Sequence, residues 1–227
     1  MARLFLATGC LFSMGLCVAG LQALQGERAA LGVPNAQSDA FLLYAANNNI
    51  SFGTSDYSKR LLLSDCNDAA IRMLGDFNIA IKPDAVATRS NCLLVAQKIV
   101  ENSPINAFAW AVQARIFAAN LKLPEFRSSL TESYHGGPFS LLAAKARVDL
   151  SRIYSGYLDD ETRRLRDTDL LMLGRVRDGS LWLAEVYAKD SEFRSTIIAA
   201  LEPLPAEDKA KFLRYARKQM ETIGAGT

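Results

Sequence analysis

Pro104 and Pro138 stand 34 residues apart, and two stretches of helical apolar periodicity lie between them. Trp110, Ala114 and Phe117 follow one another at steps of four and three in the first stretch; Phe126, Leu130 and Ser133 do so in the second. Such steps bring side chains to one face of a helix. A proline cannot sit inside a helix without losing a hydrogen bond and clashing with the preceding turn, so Pro104 and Pro138 bound the unit. The segment is expected to be a helix–turn–helix unit, with small residues letting the two helices approach closely. A helical hairpin of the general kind accounts for the same spacing.

The rest of the chain carries the same signature. Apolar periodicity and capping residues place helices over 38–44, from about 55 to 74, and from about 84 to 101. Gly75 stops the second of these, and Ile79, Ala80 and Ile81 before Pro83 read as irregular. Beyond Gly136 and Gly137, helices are expected over 139–157, from Asp159 or Asp160 through Leu173, from Ser180, from Phe193 to Leu201, and around Phe212, Leu213 and Ala216. The asparagines at 47–49 and the stretch 51–55 read as loops, and 223–227 as a fraying tail. The fold class is therefore all-α: antiparallel helix pairs, a short right-handed array, and C-terminal helices outside the repeat.

The N-terminus is a separate problem. From Leu4 to Leu21 there is no charged residue, and the next charge is Glu27. About 20 apolar residues at roughly 1.5 Å each cross a bilayer core of about 30 Å, so residues 1–25 are expected to be a membrane anchor. A cleaved signal segment ending near Val18, Ala19 and Gly20, and a buried helix, stay open. Arg3 and the amine precede the run while Glu27 and Arg28 cancel after it. This places the N-terminus in the cytoplasm and the main domain in the periplasm of a single-pass inner-membrane protein, with release to the periplasm as the alternative. Residues 26–37 read as a linker and 38–222 as one helical domain.

Cys66 and Cys92 fall on neighbouring expected helices. In an oxidising compartment they could form a disulfide closing a loop of about 26 residues; as buried free thiols they would serve as apolar filler. Half the residues are hydrophobic and the formal net charge is only +2, which gives no reason to expect a nucleic-acid partner. His135 is the only histidine, so a site with several histidine ligands is excluded. No catalytic, cofactor or metal motif is legible. Arg163, Arg164 and Arg166, and the basic residues Lys209, Lys211, Arg214, Arg217 and Lys218, alternate with carboxylates and read as solvated faces.

The segment from Pro104 through Trp110, Ala114, Phe117, Leu130 and Ser133 to Pro138 resembles a tetratricopeptide repeat. It departs from that pattern at Phe126, where a small residue is usual. Together with the apolar leader, the residues Ser103, Ala109, Ala111, Arg115, Tyr134 and the stretch 158–163 make the chain resemble small bacterial envelope proteins with a degenerate tetratricopeptide-like domain. The resemblance implies a non-catalytic, membrane-associated adaptor, with an envelope protein as partner and a link to polysaccharide synthesis or export. The alternative is a carbohydrate-binding or polysaccharide-processing protein, for which Tyr157, Asp159 and Asp160 are the candidates.

Overall fold

The computed structural model describes residues 2–34, 36, 38–47 and 53–224; for 2–12, 26 and 29–31 it describes the backbone alone. Among the described residues the chain forms twelve α-helices and one turn of 3-10 helix. It divides into two compact units, Met1–Ile99 and Val100–Thr227, the boundary falling inside the fifth helix.

In the first unit α1 is Ala2–Leu31, α2 is Asp39–Asn47, α3 is Asp56–Gly75, α4 is Phe77–Ala80 and α5 is Pro83–Asn102. Helix α1 does not stop at the end of its apolar run. It continues through Gln22 and Gln25, and Glu27 near its far end accepts hydrogen bonds from the Ser55 backbone N–H at 2.7 Å and the Ser55 hydroxyl at 2.7 Å. The Ser55 amide and hydroxyl draw the Glu27 carboxyl below its ordinary range. Ser55 is also the N-cap of α3, accepting from Ser58 N at 3.1 Å, so one short segment ties α1 to the start of α3.

Helix α5 closes the ends of its neighbours. Thr88 Oγ1 donates to the Leu42 carbonyl at 3.0 Å, and Asn91 Nδ2 donates to the Ala45 carbonyl at 2.6 Å, satisfying a last-turn acceptor of α2. Arg89 does the same for the Ala80 carbonyl of α4 at 3.1 Å. Cys66 on α3 and Cys92 on α5, both buried, are joined by a disulfide.

One carboxylate of this unit opposes folding. Burial pushes the half-buried Asp65 carboxyl on α3 up to about 6, and the charge of Asp68 adds to the shift. In the unfolded chain it titrates near 4. Below that value the group is neutral in both states and costs nothing; above about 6 it is charged in both states and the full penalty applies. Discounted for the solvent that reaches it, the penalty is about 1 kcal/mol. Asp65→Asn is therefore expected to stabilise the protein by that amount at about pH 7.5, and the gain should vanish below about pH 4. Urea midpoints of both proteins across that range check it; an equal gain at every pH would reject it.

In the second unit α6 is Ala107–Ala119, α7 is Leu123–Gly136, α8 is Leu141–Ile153, α9 is Asp160–Arg175, α10 is Arg177–Lys189, α11 is Arg194–Leu201 and α12 is Ala206–Gly224. Helix α6 has one thin face: Ala107, Ala111, Ala114 and Ala118 share it and are all buried, and α7 packs along the helix. Its end is closed without glycine. Leu121 adopts φ 57°, Lys122 N donates to Phe117 O at 2.9 Å and Leu121 N to Ala118 O at 3.0 Å. That is a Schellman closure with a leucine in the left-handed position. The core then passes to α8, α9, α10, α11 and α12 through Val148, Leu170, Leu173, Leu183, Ile197 and Phe212.

Two expectations from the sequence are overturned. Among the described residues no helix is long and apolar enough to cross a membrane. Leu4 and its neighbours up to residue 12 have side chains outside those described. The N-terminal anchor is therefore not upheld. The membrane as partner and the single-pass inner-membrane placement with a periplasmic domain fall with it, and the signal-segment alternative gains no support. The second correction concerns the array. Helices α6 and α7 do pair, but the helices after them form no clear repeat. Phe126 occupies the core position a repeat would give to a small residue, its ring 5.5 Å from that of Tyr154. Pro138 is exposed beyond α7, and α8 gives way at Ile153 to a 3-10 turn instead of running to 157. The loop expected at 48–52 and the tail at 225–227 lie outside the described residues.

Candidate functional site

The chain between α8 and α9 makes the most distinctive surface hollow near the sequence candidates. Tyr154 ends α8, its N–H donating to Leu150 O at 2.9 Å. Ser155–Tyr157 forms the 3-10 turn. Leu158 then turns inward and is buried with Phe126, Leu130 and Leu150. Anchoring Leu158 in that core forces the residues on either side outward, so Tyr157 stands half exposed and Asp159 lies at the surface.

Helix α7 supplies the opposite wall. Phe126 faces the core, so its neighbour Arg127 faces outward toward the turn. Leu123, Arg127, Gly156, Tyr157, Leu158 and Asp159 enclose a hollow of about 280 Å³. Asp159 is the N-cap of α9, accepting from Thr162 N at 2.8 Å. That amide holds its carboxyl below the ordinary range; the Thr162 side chain and the charges of Arg127 and Arg163 act in the same direction. The hollow therefore presents a fixed anion, a guanidinium, an aromatic ring and apolar floor.

Asp160 does not complete a carboxylate pair. It is exposed and bonded to Arg163 at 2.7 Å, one helical turn along α9. Arg164 Nε donates to the Asp160 carbonyl at 3.2 Å, and Arg166 lies against Asp167 at 2.7 Å. Lys209 pairs with Glu202, and Lys211 with Glu207 and Asp208. His135 lies exposed at the end of α7. Among the described residues no three metal-ligating side chains converge.

Trp110 is half-buried and its Nε1 donates to the Pro104 carbonyl at 2.8 Å. Ala114 and Leu130 are fully buried, with Phe117 packed against their cluster. The Ser133 hydroxyl donates to Ala107 O at 2.6 Å, joining α7 to the start of α6.

Nothing in the sequence pattern singles out Arg127, Arg147 or Asp169. Arg147 and Asp169 form a fully buried pair, with Nε and Nη2 reaching the two carboxylate oxygens at 2.8 and 2.7 Å. Nη1 donates to the carbonyls of Ser133 at 2.9 Å and Gly137 at 3.2 Å, and the guanidinium lies 4.6 Å from the Tyr134 ring. Beside it Asp149 bridges Arg115 and Arg152, and Arg152 continues to Asp190 at 2.9 Å. These charges brace the helices from inside.

No family model matches the chain, and no curated protein or solved structure matches it. The resemblance to tetratricopeptide-like envelope proteins is corrected on that ground. With it goes the basis for a membrane-associated adaptor, for an envelope-protein partner and for a role in polysaccharide export. The described residues form an all-helical fold in two compact units.

Proposed function

We propose that this protein is a ligand-binding helical domain whose hollow at the α8–α9 turn takes a saccharide unit. The observation that carries the reading is the grouping of Tyr157, Arg127 and Asp159 around one recess of about 280 Å³. An exposed ring offers a flat apolar face to the C–H surface of a pyranose, while a carboxylate and a guanidinium accept from and donate to its hydroxyls.

Binding is favoured over glycosidic hydrolysis by the carboxylates. Hydrolysis needs a carboxyl held protonated near neutral pH and a second carboxylate across the bond. Asp159 is shifted the other way, and Asp160 is engaged by Arg163.

Screening the purified chain on an array of oligosaccharides, followed by calorimetry of the best binder, tests the proposal. Tyr157→Ala is expected to weaken binding about tenfold, the loss of one stacking face. Asp159→Asn should weaken it too while keeping the helix cap, since asparagine caps as well as aspartate. If no saccharide binds, or if Tyr157→Ala binds as well as the native protein, the assignment is wrong.

A further inference from the structure

A second hollow lies at the other end of α9, about 24 Å away along a helix of 16 residues. It has a volume of about 270 Å³ and lies where α9 passes to α10 through the single residue Val176. The junction is tight because of glycine. A Cβ on Gly179 would come within 2.4 Å of the Leu173 carbonyl oxygen, so only glycine lets the first turn of α10 sit so close to the end of α9.

Three observations converge there. The N-terminus of the 13-residue α10 opens onto the hollow with no side chain capping it, so the positive end of its dipole is uncompensated by a cap. Ser180, in that first turn, lines the hollow and is only 3 % exposed, yet its Oγ has no hydrogen-bond partner among the described residues. A buried hydroxyl without a partner is costly, so an acceptor oxygen placed beside it would be stabilising. Arg175 and Arg177 flank the opening, both exposed and neither bonded to a carboxylate among the described residues. Lys211 and Asp208 form the far wall, the lysine held by Glu207 at 2.9 Å and Asp208 at 3.3 Å, and Tyr215 completes it. Asp178 is the remaining charge in the α10 first turn.

We infer that this hollow is a binding site for a tetrahedral oxyanion, the phosphate or sulfate group of a small molecule. One oxygen accepts from Ser180 Oγ at the helix end; Arg175 and Arg177 close on the others, as guanidinium groups do with phosphate. Asp208 and Tyr215 are left to meet hydroxyls on the rest of the ligand. Lys211 is already matched by two carboxylates, so the arginines carry the discrimination for negative charge. The inference does not depend on the Tyr157 hollow.

Titration of the full chain with inorganic phosphate and, separately, inorganic sulfate, at constant ionic strength set with chloride, tests it. Amide shifts of residues 174–180 read by NMR locate the binding. Saturable binding at millimolar concentration is expected for at least one anion, and the arm that saturates identifies which group the site prefers. Arg177→Gln should weaken it about tenfold and Ser180→Ala about threefold or more. Without anion, Ser180→Ala should be as stable as the native protein or more so, because it removes the unpartnered hydroxyl. Phosphate or sulfate should then raise the Tm of the native protein more than that of Arg177→Gln. No saturation up to about 50 mM of either anion, a range that includes weak single-group binding, would overturn the inference. So would equal affinity in the native protein and both variants.

Discussion

Arg147→Ala is expected to cost about 3–5 kcal/mol, a loss at the top of the range for a single substitution. The side chain is fully buried and every one of its polar contacts is intramolecular. It satisfies both oxygens of Asp169 and takes the Ser133 carbonyl in the last turn of α7; the Gly137 carbonyl, which it also reaches, accepts from Ser140 N as well. Truncation therefore strands a buried carboxylate and the Ser133 acceptor at once. Against a typical total of about 5–15 kcal/mol, the loss leaves the second unit marginal or unfolded.

The charge pair itself is not the source of that number. Burying two ions costs nearly as much as their attraction returns. Arg147→Met combined with Asp169→Leu should therefore recover most of the loss, with a shortfall from the Ser133 carbonyl that methionine cannot satisfy. Arg147→Lys should fall between, since one ammonium cannot hold a carboxylate side-on and reach Ser133 and Gly137 as well. Urea unfolding followed by far-UV circular dichroism measures all three. If Arg147→Ala stays within about 1 kcal/mol of the native protein, the network is not what closes α7.

What could be read from sequence divides along physical lines. Helices follow from periodicity and caps, and those signals are local: Ser55, Asp159 and the face of Leu170 and Leu173 mark their elements without reference to the rest of the chain. The α6 closure is harder to see, because Leu121 takes a conformation that normally advertises itself as glycine. Ends closed from elsewhere are invisible. Nothing near Ser133 says that Arg147 will finish α7, and an arginine on an apolar helix reads as a surface residue until its distant carboxylate is known. The period between Pro104 and Pro138 misled for a related reason. A 34-residue spacing constrains one hairpin, whereas an array depends on what packs against it, and there Phe126 and the turn at Ser155–Tyr157 redirect the chain. The hollow at Tyr157 is half legible: Tyr157 and Asp159 stand out in the sequence as an aromatic beside carboxylates, but Arg127 joins only because Leu158 is drawn into the core on that side.

Reduction of the disulfide between Cys66 and Cys92 is expected to cost about 3 kcal/mol. Its sequence separation is 26 residues. Cross-linking such a loop removes conformational freedom from the unfolded chain, and in the chain-entropy model the effect grows only slowly with length. The folded state should change little on reduction. Both sulfurs lie in the interior, with Cys66 1 % and Cys92 2 % exposed, and a thiol fills nearly the same apolar space. Loss of stability without loss of structure is thus the signature. Cys66→Ala with Cys92→Ala should show the same loss plus a small packing cost, and adding reductant to that double variant should do nothing. The readout must be chosen with care, because Trp110 and Trp182 both lie in the second unit, on α6 and α10 and not on α3 or α5. Hydrogen exchange of the α3 and α5 amides, with and without reductant, reports the right region: protection should fall by about two orders of magnitude, the equivalent of 3 kcal/mol. Unchanged protection on reduction would mean that burial of Phe41 on α2, Leu62 on α3 and Ile99 on α5, and not the covalent bond, holds this unit together.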